Sequence, residues 1–332
     1  MPNILVIGAT GYIGSHLCQQ LIRSGNHQVF GLACSEKEGF LLALKEILPL
    51  AGDLGDSKSC LELINSATID VIVDTNSFND ETTKPKLLEI IQGAAKERLA
   101  TILQDHIFKG PKLGFVTVSG IWSHGSTEDA HGSFEPASLE SLGTTPPPGL
   151  PAAKALYEQK VLEATDVLDV AIIRPSFVFA KGGAAWTKIL KGIFDSSQSG
   201  STDTVRIGVD PKNSIYSFTN IDDVASGLEL AIDKIQMING TSVYPVFDLV
   251  GDQFPIELLF KADAGYFGCK AEIELFKPDG ISFLDSIGGV SNTNAVRAKQ
   301  ILGWEPKKGH FVRDTHIYAK SFLAALALAK EP

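Results

Sequence analysis

The sequence predicts an α/β protein built on a doubly wound parallel sheet, and three observations carry that expectation. The apolar run Asn3-Ile4-Leu5-Val6-Ile7 leads straight into Gly8-Ala9-Thr10-Gly11-Tyr12-Ile13-Gly14, and then into a helical pattern with Ile13, Leu17 and Leu21 on one face. Strand-like and helix-like patterns alternate through the first 180 residues. The strand candidates, such as 69–74 (IDVIVD) and 167–174 (VLDVAIIR), are near-continuous apolar runs, as strands buried on both faces should be. Alternation of this kind implies right-handed crossovers and helices on both faces of the sheet.

The three glycines have G-x-x-G-x-x-G spacing between a buried strand and a helix. Gly8 allows a tight turn, Gly11 lets the backbone approach a phosphate, and Gly14 lets the helix pack close to the strand. The helix N-terminus adds free N–H groups and a positive dipole end, which suits a dinucleotide pyrophosphate. The expectation is therefore a Rossmann-type domain. Further along, 27–33 reads as a strand, 40–48 as a helix, 48–54 as a strand, 87–106 as a helix, 113–119 as a strand and 152–164 as a helix. After about residue 180 the regularity fades. Residues 196–204 (SSQSGSTDT) read as a solvated loop, 218–232 as a strand followed by a helix, and 314–330 as a last helix. We expect a dinucleotide-binding domain over 1–180, with its core also taking in about 215–235, and a smaller substrate-binding lid over 181–332.

The chain has 332 residues, 20% charged and 44% hydrophobic, with a net charge of -10. That balance suits a compact globule and argues against a nucleic-acid binder. Cys18, Cys34, Cys60 and Cys269 are scattered without metal-ligand spacing, so no metal is expected. The chain opens directly on a strand and has no membrane-length apolar run, which leads us to expect a cytoplasmic protein without a membrane partner.

Several segments together resemble the extended short-chain dehydrogenase/reductase family, which includes nucleotide-sugar epimerases and dehydratases. Residues 8–14 are similar to its cofactor turn, and Gly52-Asp53-Leu54 to the strand end whose Asp meets adenine. Val116-Thr117-Val118-Ser119-Gly120 is similar to the strand carrying a catalytic Ser or Thr. Ile173-Arg174-Pro175-Ser176 resembles the strand end near the nicotinamide, Phe218-Thr219-Asn220-Ile221-Asp222-Asp223 a later strand-to-helix junction, and Leu302-Gly303-Trp304-Glu305-Pro306 a C-terminal turn. The resemblance implies cofactor contacts from Gly8, Thr10, Gly11, Tyr12, Ile13, Gly14, Asp53, Leu54, Lys154 and Pro175. It also allows a homodimer.

The family's Tyr-x-x-x-Lys motif is broken here. Lys154 stands 35 residues after Ser119, but Leu150 precedes it by four, where the family has its proton-donating Tyr. Ser119 is followed by Gly120 rather than a second hydroxyl residue, so it is either a substrate contact or a strand-end hydroxyl. Tyr157 is three residues beyond Lys154 and reads as a packing residue. His124, Glu128, Asp129 and His131 follow the Ser119 strand in a stretch read as a loop; His124 is the best substitute acid or base. Trp122 either walls the substrate or anchors that loop. The catalytic candidates are thus Ser119, Lys154 and His124.

No carboxylate ends the second strand, and Ser35 and Lys37 could receive a ribose 2′-phosphate, which favours NADP; with the strand ending one or two residues later Glu36 would take the acidic role, Lys37 would be an exposed helix-start charge, and NAD is the alternative. The functional expectation is an NAD(P)-dependent oxidoreductase or epimerase-like enzyme. It would act on a small-molecule carbonyl, alcohol or imine with a non-standard proton donor. The alternatives are a catalytically silent dinucleotide sensor or scaffold and a redox-neutral isomerase or cyclase.

Overall fold

The computed structural model describes residues 1–52, 57–76, 82–105, 111–124, 127–131, 150–183, 186–209, 215–276 and 291–328. Asp53 and Leu54 lie outside the described residues, as do the side chains of Glu128, Asp129, His131 and Leu150. The first strands and helices run β1 (Asn3–Ile7), α1 (Tyr12–Ser24), β2 (Gln28–Ala33), α2 (Glu36–Ala43), β3 (Leu48–Ala51), α3 (Ser57–Ser66), β4 (Val71–Asp74), α4 (Thr83–Asp105) and β5 (Leu113–Val118). They continue through β6 (Thr127–His131), α5 (Leu150–Glu163), β7 (Leu168–Pro175), β8 (Phe177–Phe179), α6 (Trp186–Ser199), β9 (Val205–Gly208), β10 (Ile215–Asn220) and α7 (Ile221–Asn239). The last are β11 (Val246–Leu249), β12 (Asp252–Pro255), α8 (Ile256–Phe267), β13 (Ile273–Phe276), β14 (Ser291–Thr293) and α9 (Thr315–Leu328).

The main sheet has seven strands in the order β11-β7-β5-β4-β1-β2-β3. Every neighbouring pair is parallel. One face is covered by α1 and α7, where Leu17 and Leu21 pack with Val224, Leu228 and Ile232. On the other face Ile64 of α3, Leu87, Leu88 and Ile91 of α4, and Tyr157 and Val161 of α5 pack on Ile72 and Phe115. A fold with helices on both faces of a parallel sheet is the predicted doubly wound architecture. The chain order reverses between β1 and β4, so the crevice at their C-terminal ends is the topological switch point where ligands bind in such sheets.

A second sheet, β12-β10-β8, lies in an aromatic core of its own. Phe179 stacks on Phe311 with centroids 4.0 Å apart, and Phe218 stacks on Phe254 at 4.8 Å. Two motifs quoted above meet beside this core. Trp304 is fully buried and its Nε1 donates to the Asp223 carbonyl at 2.9 Å. The Asp223 carboxylate in turn accepts the Lys307 and Lys308 N–H groups. The C-terminal turn is thereby locked to the first turn of α7.

Three local expectations change. Helix α6 runs through Ser199, so half of the Ser-rich stretch is helical. Leu190 and Ile193 bury its apolar face, and the Ser197 and Ser199 hydroxyls donate to backbone carbonyls three residues back. Helix α2 starts four residues early because Ser35 caps it. Strand β11 was not anticipated; it is only four residues long, and its neighbours in sequence carry turn residues. Among the described residues no helix is long and apolar enough to cross a membrane.

Asp263 is the costly feature of this packing. It is 2% exposed in α8, and its Oδ2 has no hydrogen-bond partner among the described residues. Burial pushes its carboxyl up to about 8. The unfolded chain ionises this group near pH 4, so the folded state loses stability as pH rises from there to about 8, and the loss is constant above that. Asp263→Asn is expected to melt several degrees above the parent at pH 8, with the gap closing as pH falls toward 4. Thermal melts of both proteins across that range check it; a gap independent of pH would contradict it.

Candidate active site

The glycine turn is built by close approach. Gly8 has φ +78°, a conformation that favours glycine. The Gly11 N–H donates to the Gly8 carbonyl at 2.9 Å. A Cβ on Gly14 would lie 2.1 Å from that same carbonyl oxygen and 2.6 Å from Thr75 Oγ1. Thr75 follows β4 and ties it to β1, with its N–H and hydroxyl both donating to the Ile7 carbonyl at 3.0 and 2.8 Å. Helix α1 begins with Gly11 as N-cap, has no side-chain cap bond and carries no acidic residue in its first turn. Its N-terminal N–H groups therefore meet no anionic or capping side chain of their own, which is what a phosphate needs.

The rest of the turn is fastened to the second core. Tyr12 donates from its hydroxyl to the Ala180 carbonyl at 2.7 Å, and its ring fills the space where a Cβ on Gly183 would stand. Thr10 and Gly11 are exposed at the rim, while Ile13 packs partly buried against the core. Pro175 is buried at the end of β7, in register with Leu249. At the end of β2, Ser35 and Lys37 are both exposed. Ser35 Oγ accepts the Glu38 N–H at 3.3 Å, and Glu38 accepts the Cys34 N–H at 2.8 Å. Ser35 thus already serves as a helix cap, a role its hydroxyl can share with a ligand.

Past β5 the chain enters a buried polar network. The Ser119 N–H donates to the Ile173 carbonyl at 2.8 Å, and its hydroxyl lies 3.3 Å from that of Ser123. Ser123 donates to Glu158 Oε1 at 3.1 Å. Arg174 grips Glu158 through Nε, at 3.0 and 3.1 Å from the two carboxylate oxygens, and through Nη2. Arg174 Nη1 stands 3.4 Å from His124 Nε2, which is 2.9 Å from Asp248 Oδ2. Burial works against the charge on Arg174, but Glu158 outweighs it and raises the guanidinium further. Burial alone would raise Asp248; His124 and Arg174 outweigh it and hold the carboxylate below its usual range.

His124 therefore sits in a buried 3₁₀ turn, Ile121–His124, rather than in the loop expected after the Ser119 strand, and residues 127–131 continue as a strand. The apolar packing of Ile121 and the charges of Asp248 and Arg174 draw this segment inward. Trp122 sets its ring edge-on to Phe177 at 4.9 Å, which anchors the turn.

Lys154 lies in α5, one turn after Leu150 at its start, with Lys84 and Glu158 as the charges acting on it. Burial, then the positive charge of Lys84, push Lys154 down to about 8, against the pull of Glu158. Lys84 is buried with its Nζ 2.9 Å from Asp74 Oδ2 and 5.7 Å from the Tyr157 ring centroid. Burial and Asp74 hold the Tyr157 phenol well above its usual range, so it stays protonated. Sequence reasoning did not single out Asp74, Thr75, Lys84, Glu158 or Asp248. The polar residues ending an otherwise apolar strand, Asp74-Thr75-Asn76, were the available signal. Among the described residues no group of three or more His, Cys, Asp or Glu side chains is arranged to hold a metal.

With that geometry in hand, the comparisons define a class. The family model for the NAD dependent epimerase/dehydratase family matches residues 4–246, and the chain belongs to that family. It is similar to the sterol-4-alpha-carboxylate 3-dehydrogenase, decarboxylating, of Candida albicans, at 24% identity over 246 residues covering 71% of this chain and 65% of that protein. Among solved structures it is similar to dTDP-glucose 4,6-dehydratase of Bacillus anthracis in complex with NAD, with TM-score 0.68 and 16% identity over 98% of this chain and 97% of that one. The UDP-Glc/GlcNAc 4-epimerase of Campylobacter jejuni gives TM-score 0.66 at 19% identity over 99% and 100%.

The turn geometry makes a direct prediction. Gly14→Ala must displace a backbone carbonyl and is expected to cost about 3 kcal/mol or more. Gly192→Ala in α6, where an added Cβ meets nothing within 4 Å, is expected to be neutral or stabilising. Urea melts of the two variants check this; equal stability would contradict it.

Proposed function

We propose that this chain is an NAD(P)-dependent oxidoreductase of the epimerase/dehydratase type, acting on a small-molecule carbonyl, alcohol or imine without the family's tyrosine acid. The observation that carries the reading is the uncapped N-terminus of α1 over a turn so tight that Gly14 has no room for a side chain. That cradle fits a dinucleotide pyrophosphate, held by backbone N–H groups rather than by Lys or Arg. A nicotinamide bound there supplies hydride transfer.

On this reading Gly8, Thr10, Gly11, Tyr12, Ile13 and Gly14 hold the pyrophosphate, and Asp53 and Leu54 meet the adenine. Ser35 and Lys37 favour a 2′-phosphate, hence NADP, because no carboxylate occupies residues 34 and 35. Lys154 reaches the nicotinamide ribose, Pro175 lines that end of the site, and Ser119 holds the substrate oxygen. Leu150 offers no proton, and the Tyr157 phenol is held too firmly protonated to replace it. The His124, Asp248, Arg174 and Glu158 network fixes the floor beneath Ser119 and α5.

Calorimetric titration with NADPH, NADH and their oxidised forms tests the proposal. NADPH is expected to bind at least tenfold more tightly than NADH. Gly11→Asp should abolish binding while keeping the melting curve, because its carboxylate would occupy the anion site. Lys37→Ala should narrow the NADPH preference. No binding of any dinucleotide would overturn the oxidoreductase reading, and tighter NADH binding would overturn the 2′-phosphate assignment.

A further inference from the structure

Away from the candidate active site, a cleft of about 600 Å³ opens between the turn after β8, the start of α7, the turn before α9 and α9 itself. Neither the glycine turn 8–14 nor Ser119 nor Lys154 lines it. The chain carries a net charge of -10, yet among the described residues four cationic side chains line this cleft, Lys181, Lys307, Lys308 and Arg313, against three carboxylates. Each of those carboxylates is already engaged. Asp222 accepts from the ammonium groups of both Lys181 and Lys308. Asp252 accepts the backbone N–H groups of Gln253 and Phe311, each at 3.0 Å. Asp314 accepts from Arg313 at 2.8 and 2.9 Å. The Lys307 ammonium has no hydrogen-bond or ion-pair partner among the described residues.

The backbone that presents these groups adopts conformations that residues with side chains avoid. Ala180, Lys181 and Gly182 have φ of +92°, +52° and +69° in succession, and His310, which also lines the cleft, has φ +71°. Ala180, Lys181 and His310 are three of the five non-glycine residues with positive φ among the described residues. Strain of this kind persists only where the surroundings over-determine it, and it gathers at ligand clamps. Here the Tyr12 hydroxyl holds the Ala180 carbonyl at 2.7 Å, and Gly182 lies so close to α9 that a Cβ on it would stand 2.5 Å from that of Ala325. On the opposite wall the Asp223 carboxylate accepts the Lys307 and Lys308 N–H groups, each at 2.9 Å, which fixes where both side chains leave the backbone.

We propose that this cleft is a second ligand site, for a small soluble phosphate monoester with an apolar body. An ammonium group carries three donors, and Asp222 takes one from Lys181 and one from Lys308, so each lysine keeps donors for an anion. Together with Lys307 they give the cleft three compact point charges, more than one carboxylate neutralises and well matched to a doubly charged phosphate. The α9 wall is more apolar. Ile317 is 54% exposed there, and the half-buried Tyr318 ring sits edge-on to Phe179 and Phe311, with centroids 4.8 and 5.1 Å away. A concave site of this volume encloses a free small molecule rather than meeting a bilayer surface.

Calorimetric titration of the full-length protein with phenyl phosphate at low ionic strength tests this. The parent is expected to bind it, and to bind benzoate, which carries a single charge on the same ring, about fivefold more weakly. Lys181→Ala and Lys308→Ala should each weaken phenyl phosphate by about fivefold, the effect of one exposed ion pair. Lys307→Ala should weaken it in the same direction, and because that ammonium has no partner to lose, the fold is spared. Gly11→Asp should leave the affinity unchanged, since the glycine turn is no part of the cleft. No binding by the parent, or binding that survives all three lysine variants, overturns the proposal. So does binding that disappears in folded Gly11→Asp, which would place the anion on the glycine turn. Equal affinity for benzoate overturns the choice of a phosphate. Capture by phosphatidylcholine vesicles containing phosphatidic acid, without phenyl phosphate binding, overturns the choice of a soluble ligand.

Discussion

The approach of α1 to β1 is the constraint on which the rest of the molecule depends. One carbonyl, that of Gly8, accepts from Gly11 and leaves Gly14 no space for a methyl group. Thr75 closes the same contact from β4 by bonding back to Ile7. Because the strand order reverses between these two parallel strands, the contact sits at the mouth of the switch-point crevice. The open N-terminus of α1 and the packing of that helix on β1 are therefore one structural fact.

From that point charge is handled in pairs. Asp74 with Lys84, Glu158 with Arg174, and Asp248 with His124 follow the ends of β4, β5, β7 and β11. Each pair is buried, and a buried charge without its partner is costly. The pairs fix α5 and the turn after β5 against the sheet, so that Ser119 and Lys154 stand on a rigid floor. Tyr12 ties the glycine turn to the Ala180 carbonyl beside the second core, and Trp304, buried in the core under α7, ties the C-terminal turn to Asp223.

The parallel sheet and the glycine turn could be read from the chain because their signals are local. A strand buried on both faces is apolar along its length, and a turn that must admit a helix closely shows its glycines in order. The family resemblance was legible for the same reason, since its motifs are short and contiguous. Strand β11 was not, because its apolar run is broken by Asp248 and flanked by Pro245 and Gly251. The ion pairs were not legible either. His124 and Asp248 are separated by 124 positions, and nothing in either neighbourhood names the other. Lys84 reads as an ordinary charge in the first turn of a helix until the fold sets it over Asp74.

The central claim is that the crevice between β1 and β4 is a dinucleotide site formed by backbone groups. Hydrogen–deuterium exchange with and without saturating NADPH or NADH addresses it directly. The account predicts slowed exchange concentrated in the amides of Thr10 through Ser15 and around Thr75, with little change in α8 or α9. Protection absent from that turn, or confined to the aromatic core around β10, would contradict it.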